Sequence, residues 1–204
     1  ISSAGAAVLV EGTGGGDAAS QGNFGVFVSS SGTITSVGAG LGATVTVRGF
    51  GGNTTGTGSY NWGVIVDGSG SQMTSGGGAV LVEGTGGGAN TSGYNQGVYV
   101  RNSGIITNAG TTAGATVTVK GFGGNPGATS GNDNLGVRVD SSGQITSSGG
   151  AVLVEGTGGG GAGNFNHGVY LATAGVITSA ATDSGATVTV RGFGGNTTGT
   201  SGNN

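Results

Sequence analysis

The feature that most constrains the fold of this chain is an internal repeat of about 36 residues. One Val-rich segment recurs twice, each time 72 residues further along the chain, at Val8–Gly16, Val80–Gly88 and Val152–Gly160. A sister segment alternates with it, at steps of 72 and 71 residues, and starts at Val45, Val117 and Val188. Two unlike units therefore form a 72-residue super-repeat. Periodicity of this length is typical of solenoids, propellers and repeat arrays.

Each unit contains three short segments that predict β-strands. They follow the patterns Gly-Val-x-Val, Ile-Thr-Ser and Val-x-Val, in which β-branched apolar residues recur with period two. Glycine accounts for 54 of the 204 residues and interrupts every segment, so no stretch favours a helix. A four-stranded propeller blade needs a further strand, whereas three strands with tight corners fit one coil of a parallel β-solenoid.

We therefore predict an all-β fold, a single parallel β-solenoid over residues 1–204 with about six partial or complete coils. Each coil has three short strands and one long Gly-rich loop, such as Gly12–Asn23. We expect the chain to begin in mid-coil, because Ile1 lies seven residues before Val8, as Met73 lies seven residues before Val80. It ends in a loop. We expect either a part of a longer array or a subunit that stacks head-to-tail into a filament.

The residue after each Val-x-Val segment is charged, and the sign alternates from coil to coil. These side chains point outward by the period-two rule, and stacked coils bring them about 4.8 Å apart. Opposite charges attract at that spacing, whereas a slip by one coil places like charges together. We predict a charge ladder that sets the register, at Glu11, Arg48, Glu83, Lys120, Glu155 and Arg191. A second charge ladder follows Gly-Val-x-Val, at Asp67, Arg101 and Asp140, with Arg138 nearby.

An Asn stands before each Gly-Val-x-Val segment. Stacked Asn side chains form hydrogen-bonded ladders, and Asn tolerates the left-handed backbone of a corner. We predict a corner Asn ladder without a ligand, at Asn23, Asn61, Asn95, Asn134 and Asn166.

Outward apolar residues form a candidate contact stripe. They occupy the middle of Gly-Val-x-Val and the position two residues after Arg48, Lys120 and Arg191 in the charge ladder. The members are Phe27, Ile65, Tyr99, Tyr170, Phe50, Phe122 and Phe193. Either the long loops fold over these side chains, or the side chains form an exposed surface for lateral contacts. The pattern does not choose between the two.

The composition argues against enzymes and against several classes of partner. The chain has 13 charged residues, one His and no Cys, which leaves little material for acid–base chemistry, metal ligation or a cofactor site. His167 lies at a corner position that other coils fill with unrelated residues, so we predict a surface role for it. The net charge of −3 disfavours nucleic acid, and no apolar run is long enough to insert into a membrane.

The repeat motifs resemble those of a known group of proteins. Asn-x-Gly-Val-x-Val, Gly-x-Ile-Thr-Ser and Gly-Ala-Thr-Val-Thr-Val-x-Gly-x-Gly-Gly are similar to the Gly-rich β-strand repeats of very large bacterial surface proteins. These proteins are grouped with filamentous-haemagglutinin-like and autotransporter adhesins. The resemblance covers nearly the whole chain and implies a right-handed parallel β-helix, export to the cell surface, and a role in adhesion or filament formation. It implies no catalytic residues.

Two functions follow as hypotheses. The first is a structural segment of an extracellular or cell-surface bacterial fibre, whose main partner is the protein itself, head-to-tail or side by side. The alternative is an adhesin module that displays its loops and aromatic stripe to surface glycans. Neither function requires a cofactor.

Overall fold

A computed structural model describes residues 1–124, 131–160, 162–180 and 186–195. Throughout these residues the regular elements are β-strands, and every strand pair is parallel. In chain order the strands are β1 (Ser2–Ser3), β2 (Val8–Thr13), β3 (Val26–Val28), β4 (Thr33–Ser36), β5 (Val45–Phe50), β6 (Val64–Asp67), β7 (Gln72–Ser75), β8 (Val80–Thr85), β9 (Val98–Arg101), β10 (Ile105–Asn108), β11 (Val117–Phe122), β12 (Val137–Val139), β13 (Gln144–Ser147), β14 (Val152–Thr157), β15 (Val169–Leu171), β16 (Val176–Ser179) and β17 (Val188–Phe193).

The strands form three sheets that wind as a solenoid. Sheet 1 contains β1, β4, β7, β10, β13 and β16, sheet 2 contains β2, β5, β8, β11, β14 and β17, and sheet 3 contains β3, β6, β9, β12 and β15. The chain visits the three sheets in turn and returns to sheet 1 one coil further along. The described residues contain five coils with a strand in each sheet and a sixth coil with strands in sheets 1 and 2. The predicted parallel β-solenoid, with about 36 residues per coil, is confirmed.

The coils stack without any offset between equivalent positions. Val8 pairs with Val45, and Val45 pairs with Val80. The same one-to-one register continues along sheets 1 and 3. Residues at one position of the repeat therefore form columns parallel to the solenoid axis, with about 4.8 Å between neighbours.

The core is a thin column of aliphatic side chains enclosed by the three sheets. In the third coil it consists of Val80 and Val82 from sheet 2, Val98 and Val100 from sheet 3, and Met73 from sheet 1, all fully buried. Alternation along each strand sends these residues inward and their neighbours outward. A single coil buries too little apolar surface to be stable alone, so stacking against the neighbouring coils is what makes the fold stable.

Glycine recurs at two positions of the coil where sheet 2 passes closest to the start of sheet 3. One is within the sheet 2 strand, and the other is directly before the sheet 3 strand. A Cβ added at Gly97 would lie 2.6 Å from the carbonyl oxygen of Gly136 and still closer to the backbone nitrogen of Phe122. Both of these atoms belong to the backbone and cannot move aside. The Gly before each Val-x-Val of sheet 3 is therefore required by close packing.

The corner between sheets 1 and 2 contains a buried polar column that the sequence reasoning missed. The last residue of each sheet 1 strand is Ser or Asn, and from β4 onward its side chain donates a hydrogen bond to a backbone carbonyl of the corner. For example, the hydroxyls of Ser36 and Ser147 donate to the carbonyls of Ala6 and Ala115 at 2.8 Å. These bonds satisfy carbonyl groups that would otherwise be buried without a partner. The recurrence of Ser after Ile-Thr was the signal for this column.

Candidate functional site

The charge ladder lies on the outer surface of sheet 2, and its six residues stand opposite one another in consecutive strands. Arg48 contacts both neighbours, with 3.3 Å between its Nη1 and Glu11 Oε1 and 2.9 Å between its Nε and Glu83 Oε2. Glu155 also contacts both neighbours, at 3.8 Å from Lys120 and 2.8 Å from Arg191. Every residue of the ladder thus takes part in an ion pair with an adjacent coil.

The electrostatic environment of Arg48 reflects its two carboxylate partners. Arg48 donates hydrogen bonds to Glu83 and Glu11, and both raise the pKa of Arg48 above its ordinary value, the bond to Glu83 by more. The side chain remains exposed, and exposed ion pairs are screened by salt. The ladder therefore contributes more to register than to stability.

The second charge ladder is less regular than the first. Arg101 donates to Asp67 at 2.8 Å across adjacent coils. Burial alone would raise the pKa of Asp67, but hydrogen bonds from Arg101 and Asn102 outweigh burial and keep it below its ordinary value. Asp140 instead accepts from Arg138, two residues away in its own coil, at 2.7 Å. At one end of this ladder the ion pair joins two adjacent coils, and at the other end it lies within a single coil.

The predicted Asn residues form a hydrogen-bonded ladder, in which the backbone N–H of each Asn donates to the side-chain Oδ1 of the Asn in the next coil. Asn95 donates through Nδ2 to Asn134 Oδ1 at 2.9 Å, and its own Oδ1 accepts from the backbone N–H of Asn61 at 2.9 Å. Asn134 accepts in the same way from the backbone of Asn95 and donates its backbone N–H to Asn166 Oδ1. Asn23 starts the ladder by donating to Asn61 Oδ1 at 2.7 Å. All members except Asn23 are fully buried.

The left-handed backbone does not fall on the ladder Asn residues, contrary to the expectation from sequence. It falls on the residue before each of them, where φ lies between +57° and +69°, at Gly22, Tyr60, Tyr94, Asp133 and Phe165. The Asn side chain must point inward to bond the next coil, so the corner turns one residue earlier. Aromatic residues rarely adopt this conformation, which costs about 1–2 kcal/mol outside Gly.

The predicted contact stripe separates into buried and exposed members. Ile65 is fully buried and Tyr99 nearly so, which agrees for these two residues with the first of the two alternatives, a loop that folds over the side chains. Trp62 covers them, because its indole packs edge-on against Tyr99 with 5.4 Å between ring centroids and forms a cluster with Ile65. Phe27 and Tyr170 remain exposed. For Ile65 and Tyr99, therefore, a residue at the end of the long loop does cover the sheet.

The remaining members of the stripe form a separate row at the ends of sheet 2 strands. Phe50, Phe122 and Phe193 are each about half exposed or more. They face Thr residues in the intervening coils, as in the pair Phe50 and Thr85. Alternate coils place these rings about 10 Å apart along the axis.

Eight of the eleven aromatic residues lie on the outer side of sheet 3 or in the loops beside it, and we call this region the aromatic face. Its members precede or follow a ladder Asn or occupy the middle of a sheet 3 strand: Phe24, Phe27, Tyr60, Trp62, Tyr94, Tyr99, Phe165 and Tyr170. The rings of Tyr60 and Tyr94 stack at 5.2 Å. The guanidinium of Arg138 lies 4.7 Å from the Tyr99 ring and 5.7 Å from the Tyr170 ring, at cation–π distance from both.

The sequence reasoning missed Tyr60, Tyr94 and Phe165 as surface aromatics. They share a column with Gly22 and Asp133, so no column pattern marked them. Their common position directly before a ladder Asn was the available signal. The predicted surface role of His167 agrees with its half-buried position, where its ring stacks on Tyr170 at 5.8 Å.

Within the described residues, no group of three or more His, Asp or Glu side chains is placed to hold a metal ion. That same part of the chain contains no helix with the length and hydrophobicity needed to cross a membrane.

Comparisons with protein-family models, with curated proteins and with solved structures found no match. The resemblance to Gly-rich bacterial surface repeats therefore stays a prediction from the sequence motifs.

Proposed function

We propose that this chain is a structural repeat segment of a secreted bacterial surface fibre or filament, in which coils stack on coils along one axis. The observation that carries the proposal is the charge ladder, whose sign alternates through five consecutive steps in register. A ladder of this kind is extended by any further coil of the same super-repeat. The proposed role is architectural and uses no catalytic group.

The two outermost strands of sheet 2 support this proposal because they are complementary. Strand β2 presents Glu11 at one edge, and β17 presents Arg191 at the other. Val188 and Val190 of β17 are almost half exposed, whereas Val154, at the equivalent position of the preceding coil, is fully buried. An unpaired strand edge with apolar residues favours pairing with another strand. A further coil that carries Glu at the charge-ladder position would cover this edge and extend the alternation of charge.

The proposed location, outside the cell or on its surface, depends on the resemblance of the repeat motifs. The proposed partner is a further coil of the same kind, supplied head-to-tail by another copy or by a longer chain. The second proposed contact within the same fibre is side-by-side association through the Phe50, Phe122 and Phe193 row.

Negative-stain electron microscopy of the purified 204-residue chain tests the proposal. We expect filaments whose length increases with protein concentration. Glu11→Arg should shorten them at low salt, because it places two positive side chains together where Arg191 of one copy meets the next. Asp17→Arg changes the net charge equally on an exposed loop and should leave them intact. Discrete monomers at the highest soluble concentration would contradict the proposal.

A second candidate function, adhesion to glycans, is favoured by one observation. Phe27, Tyr60 and Tyr94 of the aromatic face remain 41–48% exposed, and the rings of Tyr60 and Tyr94 stack on each other. Aligned exposed aromatic residues are typical of interaction surfaces. Glycan-array binding by the wild-type chain, and its loss in a Tyr60→Gly/Tyr94→Gly double variant, would support adhesion through these rings; binding that the double variant retains would remove them from the adhesive surface.

A further inference from the structure

A small depression lies on the aromatic face between the fourth and fifth coils. It has a volume of about 100 Å³, and its lining residues come from positions around two ladder Asn residues and from β12 and β15: Asp133, Leu135, Arg138, Phe165, His167 and Tyr170. Leu135 is buried, Arg138 and His167 are half-buried, and the rings of Phe165 and Tyr170 are exposed. The depression therefore combines a closed apolar side with polar groups and two open aromatic rings.

Polar groups around this depression are not used by the fold. Within the described residues, the carboxylate of Asp133, the imidazole nitrogens of His167 and the hydroxyl of Tyr170 have no hydrogen-bond partner. The backbone of Asp133, in contrast, is fixed on both sides. Its N–H donates to the Asn164 carbonyl at 3.0 Å, and its carbonyl accepts from Gln96 Nε2 at 3.2 Å. The main chain thus holds a free carboxylate at the rim.

The carboxylate of Asp133 is partly withdrawn from water. Burial raises the pKa of Asp133, and the nearby Arg138 and His167 only partly oppose this effect. A carboxylate that accepts no hydrogen bond from the protein keeps its acceptor capacity for a ligand. Hydroxyl groups of a ligand would satisfy it by donating hydrogen bonds, and bonds to a charged acceptor are stronger than neutral ones.

The aromatic ring of Phe165 is held in an unfavourable backbone conformation. Its φ is +59°, at a position where the first coil uses Gly22. The corner requires this conformation in every coil, so the exposed Phe165 ring itself is not needed to form it. His167 lies between Phe165 and Tyr170, with ring centroids 6.3 Å and 5.8 Å away. The three rings thus line one side of the depression.

We propose that this depression, the coil 4–5 site, binds one neutral pyranose ring of an oligosaccharide or polysaccharide. A pyranose has an apolar C–H face, which packs on aromatic rings, and hydroxyls around its edge, which donate to a carboxylate. Arg138 is paired with Asp140, so Asp133 is the unpaired charge and the site repels uronate, phosphate and nucleic acid. The volume is below that of pockets for drug-sized ligands, so one sugar ring is held while the rest of the glycan lies outside.

The inference rests on the adhesive function and gives it a specific site. The test is isothermal titration of the wild-type chain with four probes: the neutral tetrasaccharides of glucose, mannose and galactose, and acidic tetragalacturonate. Phe165→Gly removes the ring and relieves the left-handed strain, and Asp133→Asn removes the charge with a residue that tolerates the same backbone. Both variants should fold. Phe122→Ala removes an exposed ring of the separate row and is the matched control.

We expect at least one neutral tetrasaccharide to bind. Asp133→Asn should weaken its affinity about tenfold or more, as expected when a hydrogen bond to a charged group is lost. Phe165→Gly should weaken it by a similar factor, because the C–H face of the sugar loses its aromatic contact. Phe122→Ala should leave the affinity unchanged, and tetragalacturonate should bind more weakly than the neutral probes.

The other outcomes overturn the inference in distinguishable ways. Absence of binding by all three neutral probes removes the coil 4–5 site as proposed. Neutral binding that both variants retain leaves adhesion in place but assigns it to another surface. Preference for tetragalacturonate contradicts the neutral class. Self-association that Phe165→Gly abolishes without sugar present would make this surface a lateral contact between copies.

Discussion

Sheet 2 and the aromatic face follow the same coil repeat, yet their side chains repeat to very different degrees. In sheet 2, the inward residues are Val in every coil, and the outward charges alternate strictly. On the aromatic face, one column reads Gly22, Tyr60, Tyr94, Asp133 and Phe165. A side chain enclosed by its counterparts in adjacent coils must suit them, whereas a side chain directed at solvent is free to differ. Columns with a regular residue pattern therefore reflect the packing of coil on coil. Columns with an irregular pattern are the places where we expect residues that bind a specific ligand.

The largest expected effect comes from the packed side of this comparison. Gly97→Ala adds a methyl group against the backbone of two neighbouring strands, so it should lower the free energy of unfolding by about 3 kcal/mol or more. Gly15→Ala is the matched control, because an added Cβ there meets nothing within 4 Å. Urea denaturation measures both variants. Equal stabilities would mean that the two sheets do not approach as closely as described.

A smaller but clear loss is expected in the buried Asn ladder. Asn95→Ala removes bonds to Asn134, Ser92 and the backbone N–H of Asn61, so buried groups lose their partners. The free energy of unfolding should fall by about 2 kcal/mol. Asn164→Ala, at an exposed position, should have little effect in the same urea titration. If Asn95→Ala lowered the free energy of unfolding no more than Asn164→Ala, the ladder would not stabilise the fold.

The charge ladder should give a weaker, salt-dependent effect. Glu83→Lys places three positive side chains in adjacent coils, between Arg48 and Lys120. Its melting temperature at low salt should lie below that of Glu83→Gln, which removes the ion pair without adding repulsion. The difference should shrink in high salt because exposed charges are screened. Identical melting of the two variants at low salt would argue against a register role.

The smallest effect on stability is expected on the aromatic face. Tyr94→Gly loses the stacking contact with the Tyr60 ring, but it removes a non-Gly side chain from a backbone with φ of +57°. The two effects nearly cancel, so the free energy of unfolding should change by less than about 1 kcal/mol. Tyr94→Val introduces a β-branched side chain in that conformation and should be clearly destabilising. A loss in Tyr94→Gly as large as that in Asn95→Ala would place this ring among the structural residues.

The sequence predicted the features that depend on contacts between equivalent positions. Three strands per coil, the register of Glu11 with Arg48, and the Asn side-chain ladder all follow from the repeat, because each coil packs against a near copy of itself. The buried Ser column at the corner of sheets 1 and 2 was available in the same pattern and was overlooked.

Contacts between different positions were not predictable in the same way. Trp62 covers Ile65 and Tyr99 because of the path that its loop takes, and the repeat pattern contains no information about that path. The left-handed residue before each Asn depends on the direction in which the Asn side chain must point. The coil 4–5 site combines both effects, so its residues were visible in the sequence but their arrangement was not.

The most direct test of the stacked-coil account is a distance between two residues far apart in sequence. The chain has no Cys, so spin labels at Thr13→Cys and Thr157→Cys attach only at these sites. Four register steps separate the two positions, which gives about 19 Å between their Cα atoms at about 4.8 Å per coil. Double electron–electron resonance spectroscopy should show a narrow distribution of label-to-label distances near that value, broadened only by the label linkers. A broad distribution, or a mean far beyond it, would contradict the winding of the chain into stacked coils.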